Sequence, residues 1–356
     1  MRVTLGLFAT LVMGCGSQPS TNDDDIDANS FVECTPGGGE CGSAAVCNDG
    51  HCEAIVVPPP DAMCPSVHFT PTKTIPSITL LLDRSGSMTS NFNGVSRYQA
   101  MIDGLFGATG AVTATQSQVY FGEALYAGDQ TPCLNLNGFT VGRALNNASA
   151  MQTLTTGHAP NNGYTPTAPA IDQVVADFAT NAPPTGSPPI ILLATDGEPN
   201  SCSSTSTNRA PSITAAHNAY TAGIKLFIVG IAGLNTQFLQ DMANAGVGLA
   251  TGQAAGCTGC APYYVANDPA SLATAFNMII NGVIPCDLTI TGGTVDPTQA
   301  CNGTVTLNGT TLTCGSDWTV DADGVTIHLL GQACTDLKAS ATPQVDAEFP
   351  CGAILF

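Results

Sequence analysis

Three nearly unbroken apolar runs mark the middle of the chain: Ile78-Thr79-Leu80-Leu81-Leu82, Ile190-Ile191-Leu192-Leu193-Ala194 and Lys225-Leu226-Phe227-Ile228-Val229-Gly230. Runs that do not alternate with polar residues suit strands covered on both faces. A more alternating run over 119–127 predicts another strand, with a short antiparallel partner over 139–144, and a further strand fits 262–266. Between them, Ala-rich amphipathic stretches predict helices over 95–106, 166–180, 211–222, 236–245 and 269–283, with Thr214 and Asp268 where helix starts are expected. Strand and helix alternate over residues 64–285, which predicts an α/β domain with a mostly parallel sheet.

Past Ile284-Pro285-Cys286 the helical periodicity stops. Short alternating runs over 288–291, 304–307, 318–320, 325–330 and 344–349 predict a small all-β domain spanning 286–356, stapled by Cys301, Cys314, Cys334 and Cys351. Ahead of the α/β region the pattern weakens. Residues 16–33 are polar and acidic with little to bury, and are expected to form a disordered tether. Residues 34–63 carry Cys34, Cys41, Cys47 and Cys52, expected to close two local disulfides in any of three pairings, followed by a Pro58-Pro59-Pro60 spacer.

Residues 1–15 hold one cation, Arg2, then an apolar run too short to span a bilayer, and close on Val12-Met13-Gly14-Cys15. This resembles the signal peptide and lipobox of bacterial lipoproteins, and the resemblance implies lipidation at Cys15 and a lipid anchor to a membrane. No later stretch is long and apolar enough to predict a membrane span.

Charge and cysteine content narrow the setting. Lys and Arg number 8 against 27 Asp and Glu, and the formal net charge of -19 repels phosphate backbones, so nucleic acid is not expected as a partner. Of the 15 Cys, setting Cys15 aside leaves an even set, which suits disulfides in an oxidising compartment. An exported protein of the cell envelope or outer membrane, or a secreted one, is expected. A zinc site at Cys257-Thr258-Gly259-Cys260 would need a second ligand pair, and no His supplies that spacing.

The candidate chemistry lies just past two of the apolar strands. Asp83-Arg84-Ser85-Gly86-Ser87 follows the run 78–82, and Thr195-Asp196-Gly197-Glu198-Pro199 follows the run 190–194. Both loops belong at the carboxyl edge of a parallel sheet, where open α/β folds bind ligands. A third loop, Gly163-Tyr164-Thr165-Pro166-Thr167-Ala168-Pro169-Ala170-Ile171, brings hydroxyls to a helix start. One carboxylate with two hydroxyls cannot fill the octahedral oxygen shell of a hard divalent cation, so the three loops would have to converge.

DRSGS after an apolar strand, then GYTPTAPAI, then LLATDGEP, resembles the von Willebrand factor type A domain with its metal-ion-dependent adhesion site. The resemblance covers residues 64–285 and implies a doubly wound, Rossmann-like sheet flanked by helices. It implies Mg²⁺ or Mn²⁺ held by Asp83, Ser85, Ser87, Thr165 and Asp196, directly or through water, with an Asp or Glu of a protein partner completing the shell. Thr167 is the rival for Thr165, and Glu198 and Tyr164 line the same edge. In such a sheet Cys64, Cys257, Cys260 and Cys286 would gather at the end opposite the metal, while Cys133 and Cys202 could pair across the metal-bearing loops.

The expected function is a metal-dependent binding or adhesion module of a cell-surface or envelope lipoprotein, and not an enzyme. A structural envelope protein with a non-adhesive metal site is the alternative, and a metal-dependent hydrolase a weaker one. The strand-to-helix motif G-x-S-x-G is absent around Ser85 and Ser87, and His158 alone lies near a site loop.

Overall fold

The computed structural model describes residues 45–48, 51–54, 66–128, 134–161, 163–202, 204–340 and 342–355. The expected signal peptide with Cys15, the tether, and Cys34, Cys41, Cys64 and Cys133 lie outside the described residues. Residues 1–63 form one unit, in which Ala45–Asn48 and His51–Ala54 make an antiparallel hairpin with Cys47 opposite Cys52. Residues 64–356 form the other.

Six strands build the main sheet of the second unit: β1 (Ser77–Asp83), β2 (Tyr120–Tyr126), β3 (Thr140–Ala144), β4 (Pro189–Thr195), β5 (Lys225–Ile231) and β6 (Tyr264–Ala266). Their order across the sheet is β6-β5-β4-β1-β2-β3. All neighbouring pairs are parallel except β2 with β3. The chain steps from β1 to β2 on one side and later returns to β4 on the other, so the winding direction reverses at β1.

The unbroken apolar runs follow from this placement. Every residue of β1 is buried. Ile78, Leu80 and Leu82 face one layer, packing with Met101 and Leu105 of α1 (Arg97–Phe106) and Phe276 and Ile280 of α7 (Pro269–Val283). Leu81 faces the other, joining Ile171 of α4 (Thr167–Thr180), Ala216 of α5 (Arg209–Thr221) and Leu239 of α6 (Thr236–Ala245). Successive strand residues point to opposite faces, and here both faces are covered by helices. Helix α7 starts as expected at Asp268, whose side chain accepts from Ser271 N while the Ser271 hydroxyl reaches back to Asp268 N.

Several elements differ from expectation. Thr214 lies inside α5, whose first turn begins at Arg209 and tolerates Pro211. Within the α/β region two helices went unpredicted, α2 (Ala111–Thr115) and α3 (Ala148–Gly157). The latter buries only Ala148, Met151 and Thr155, too narrow a stripe to stand out in sequence.

The C-terminal region is not all β and not contiguous. Helix Gly331–Ala339 packs Ala333 and Leu337 into a core with Trp318, Ile327 and Phe349. Strand Val67–Phe69 pairs with Val345–Phe349, and Thr72–Lys73 pairs with Asp287–Thr289. The expected boundaries at 64 and 286 are therefore corrected: residues 67–73, placed with the α/β domain from sequence, complete the two small sheets, and the α/β layer is inserted between the two halves of that region. Edge strands need a hydrogen-bonding partner, and local sequence does not say how far along the chain it lies.

The cysteine grouping is also corrected. Cys257 pairs with Cys260, three residues away, and Cys286 pairs with Cys334. Of the expected group of Cys64, Cys257, Cys260 and Cys286, the pairing of Cys257 with Cys260 stays inside the group, whereas Cys286 leaves it. Cys301 pairs with Cys314, so Cys334 leaves the expected C-terminal set of four to close on the residue that opens that region. Cys202 and Cys351 are disulfide-bonded as well. Disulfides in this number belong to an oxidising compartment and indicate an exported protein.

Candidate functional site

Asp83 is the last residue of β1, and Asp196 directly follows β4. Because β1 and β4 are neighbours and run parallel, with Leu82 opposite Ala194, both carboxylates emerge at the same carboxyl edge, where the winding reverses. The loop after β1 turns through a short 3-10 segment, Gly86–Thr89, pinned to the core by the fully buried Met88. Backbone bonds tie this loop to its surroundings: Arg84 N donates to Tyr126 O at 3.0 Å and Asn161 N to Arg84 O at 3.2 Å.

These constraints gather the expected donors. Ser85 N donates to Asp83 Oδ1 at 2.7 Å, the Ser85 and Ser87 hydroxyl oxygens lie 3.2 Å apart, and the Ser87 hydroxyl donates to Asp196 Oδ1 at 2.6 Å. Asp83, Ser85, Thr165 and Asp196 are buried and Ser87 partly so. Burial pushes the Asp83 carboxyl well above the usual carboxylate range and the nearby Asp196 adds to it, while hydrogen bonds from Thr195 and Ser85 pull the other way.

Thr165 comes from the third loop. Its backbone exchanges two bonds with Asn200, Thr165 N donating to Asn200 Oδ1 at 2.8 Å and Asn200 N to Thr165 O at 3.1 Å. Its hydroxyl borders Gly197 so closely that a Cβ there would stand 3.0 Å from Thr165 Oγ1. Thr167, the rival, is buried, and its hydroxyl points inward to Thr165 O and towards the Tyr126 hydroxyl. Of the two, Thr165 is thus the threonine whose hydroxyl borders the loop after β4.

The other residues at this edge have separate occupations. Glu198 binds Arg209 through two bonds of 2.7 Å. His158 bonds Leu154 O through Nδ1 and lies edge-on to Phe139, so it closes α3 and does not enter the site.

Three residues of the site escaped sequence reasoning. Thr195 donates its hydroxyl to Asp83 Oδ2 at 2.6 Å, Asn200 anchors Thr165, and Arg97 places Nη1 2.6 Å from Asp196 Oδ2. Thr195 stands next to a motif aspartate, which could have flagged it. Arg97 carried no local signal beyond being one of few cations.

The donor set suits a hard divalent cation. It offers two carboxylates and three hydroxyls, and an ion between Asp83 and Asp196 would relieve the burial of two like charges. The space beside Thr165 Oγ1 exists only because residue 197 lacks a Cβ. Among the described residues no group of three or more His, Cys, Asp or Glu is placed to hold a metal ion, so any ion here depends on hydroxyl donors.

Fold and site together define a doubly wound α/β domain with an oxygen-rich cluster at the point where its strand order reverses. More particularly, the von Willebrand factor type A domain matches residues 77–254, and the chain belongs to that family. Solved structures of similar fold include proximal thread matrix protein 1 from the mussel byssus, 18% identical with a TM-score of 0.43, covering 62% of this chain and 51% of that one. The pilus adhesin SpaC from Lactobacillus rhamnosus GG is 18% identical with a TM-score of 0.46, covering 80% of this chain and 40% of that one. The manganese-loaded TRAP protein of Plasmodium vivax is 19% identical with a TM-score of 0.41, covering 60% of this chain and 78% of that one. The match thus spans about half of the mussel protein and less of the adhesin. No curated protein matches the chain.

Proposed function

We propose that this protein is an exported, metal-dependent binding module that recognises an acidic group of a protein partner. Asp83, Ser85, Ser87, Thr165 and Asp196 would hold Mg²⁺ or Mn²⁺, which supplies a Lewis-acidic position for an incoming carboxylate. The observation that carries the reading is the convergence of oxygen donors from three separate loops, after β1, before α4 and after β4, at one buried edge. A shell rich in neutral hydroxyls leaves more of the ion's charge for a partner than a shell of carboxylates would. Lipidation at Cys15 would tether the module to a membrane, with residues 16–33 as the spacer.

Titration of chelated protein with Mg²⁺ and Mn²⁺, by calorimetry, tests the site. Saturable binding that Asp83→Ala abolishes is expected, and binding retained in that variant would refute the assignment. Capture of an acidic peptide-bearing surface partner should disappear in EDTA. Capture that ignores EDTA would place the binding surface elsewhere.

A further inference from the structure

We propose that Arg97 is an internal counter-cation of this site, which competes with the metal and sets how much divalent ion is needed to load it. The inference rests on the metal-binding reading above.

The chain has only 8 Lys and Arg, and one of them occupies the first position of α1. A cation there opposes the helix dipole, so the helix gives no reason for it. Nor does capping, since the Ser96 hydroxyl already accepts from Gln99 N at 3.0 Å. What Arg97 does touch is Asp196: Nη1 lies 2.6 Å from Oδ2, with the Asp196 side chain fully buried. The other oxygen of Asp196 takes the Ser87 hydroxyl. A guanidinium therefore holds one of the two oxygens on a carboxylate that the donor set assigns to a metal.

The hold is single-pronged. Arg97 Nε is buried with no hydrogen-bond partner, so the fork that makes arginine a strong carboxylate clamp is not used. The backbone of Arg97 is fixed, its N–H donating to Ser90 O at 3.0 Å after the hairpin of Asn91–Phe92 and Val95–Ser96. Any yielding must come from the side chain, which is 20% exposed and has solvent to move towards.

Without a metal, Arg97 offsets the charge of Asp196 beside a second buried carboxylate, Asp83. With a divalent ion present, guanidinium and ion are like charges in a poorly screened pocket, and they repel. Arg97 thus stabilises the metal-free domain and weakens metal binding, so that the site loads only above a threshold of free ion.

The test uses the full chain, with Arg97→Gln and Arg97→Lys beside the wild type, calorimetric titration with MgCl₂, and thermal unfolding in EDTA and in Mg²⁺. Arg97→Gln should bind Mg²⁺ about tenfold tighter or more, melt lower in EDTA, and gain a larger shift on adding Mg²⁺. Arg97→Lys keeps the charge and should restore an affinity within about threefold of wild type. Arg97→Met, which preserves the side-chain stem, replaces the Gln variant if that one does not fold. Equal or weaker affinity in a folded, uncharged variant, or a Lys variant as tight as the Gln variant, overturns the proposal while leaving the metal site standing. Absence of Mg²⁺ binding in wild type and variants alike overturns both.

Discussion

The hydroxyl of Thr195 donates to Asp83 Oδ2 at 2.6 Å, latching the last residue of β4 to the last residue of its neighbour β1. The bond favours the ionised form of a carboxyl that burial drives towards neutrality. Thr195→Ala should therefore destabilise the domain by about 1.5–3 kcal/mol, the range for a buried hydrogen bond to a charged group. It should also weaken Mg²⁺ binding, because Asp83 would be less readily ionised. Thr195→Ser, which keeps the hydroxyl, should recover most of both. Denaturant unfolding and metal titration of the two variants check this.

Gly197 tests the space beside Thr165. A Cβ at this position would lie 3.0 Å from Thr165 Oγ1 and 3.4 Å from Thr165 Cγ2, so alanine must push the threonine aside. Gly197→Ala is expected to leave overall stability within about 1 kcal/mol, since the residue sits in a partly exposed loop. Its Mg²⁺ affinity should nevertheless fall severalfold. Unchanged affinity in a folded variant would show that Thr165 is not needed there.

Glu123 offers a pH test inside the sheet. It lies on β2, is 1% exposed, accepts from the Thr155 hydroxyl, and leaves Oε2 without a partner. Burial pushes its carboxyl up to about 8, against the lowering effect of the Thr155 bond. The folded protein thus holds this proton more tightly than the unfolded chain. The resulting loss of stability begins as pH rises past the ordinary glutamate value, grows to about pH 8, and then levels off. Glu123→Gln, which can still accept from Thr155, should flatten this slope and be more stable than wild type at pH 8 by a few kcal/mol, to order of magnitude. At pH 4 the two should converge. Unfolding midpoints across pH 4–9 check the sign.

In the C-terminal region His328 bridges two carboxylates, Asp287 at Nδ1 and Asp321 at Nε2, the latter at 2.8 Å. Burial lowers its pKa, but the hydrogen bonds and charges of Asp321 and Asp287 outweigh that and raise it overall. The contribution is therefore complete below the unfolded histidine value and is lost as pH rises through the folded one. With both partners substantially exposed, it is worth less than about 1 kcal/mol. His328→Asn should cost stability at pH 5.5 and almost nothing at pH 9, as measured by thermal unfolding at the two pH values.

Much of the fold was legible because burial on both faces leaves a local trace. The runs 78–82, 190–194 and 225–230 appear as β1, β4 and β5 with ends shifted by at most one residue. Helices 236–245 and 269–283 fall where amphipathic spacing put them. Asp83 and Asp196 were legible as neighbours because each closely follows such a run. Helix α3 was not, because it packs only one narrow face.

What the sequence determined by itself is what short-range order encodes: strand and helix periods, and the oxygen donors attached to strand ends. Which distant groups meet depends on the folded chain as a whole. The pairing of Thr72 with Thr289, the disulfide between Cys286 and Cys334, and the contact of Arg97 with Asp196 all join residues far apart in the chain. Each is set by packing and charge in three dimensions, and a local pattern carries no record of a partner that arrives from elsewhere in the chain.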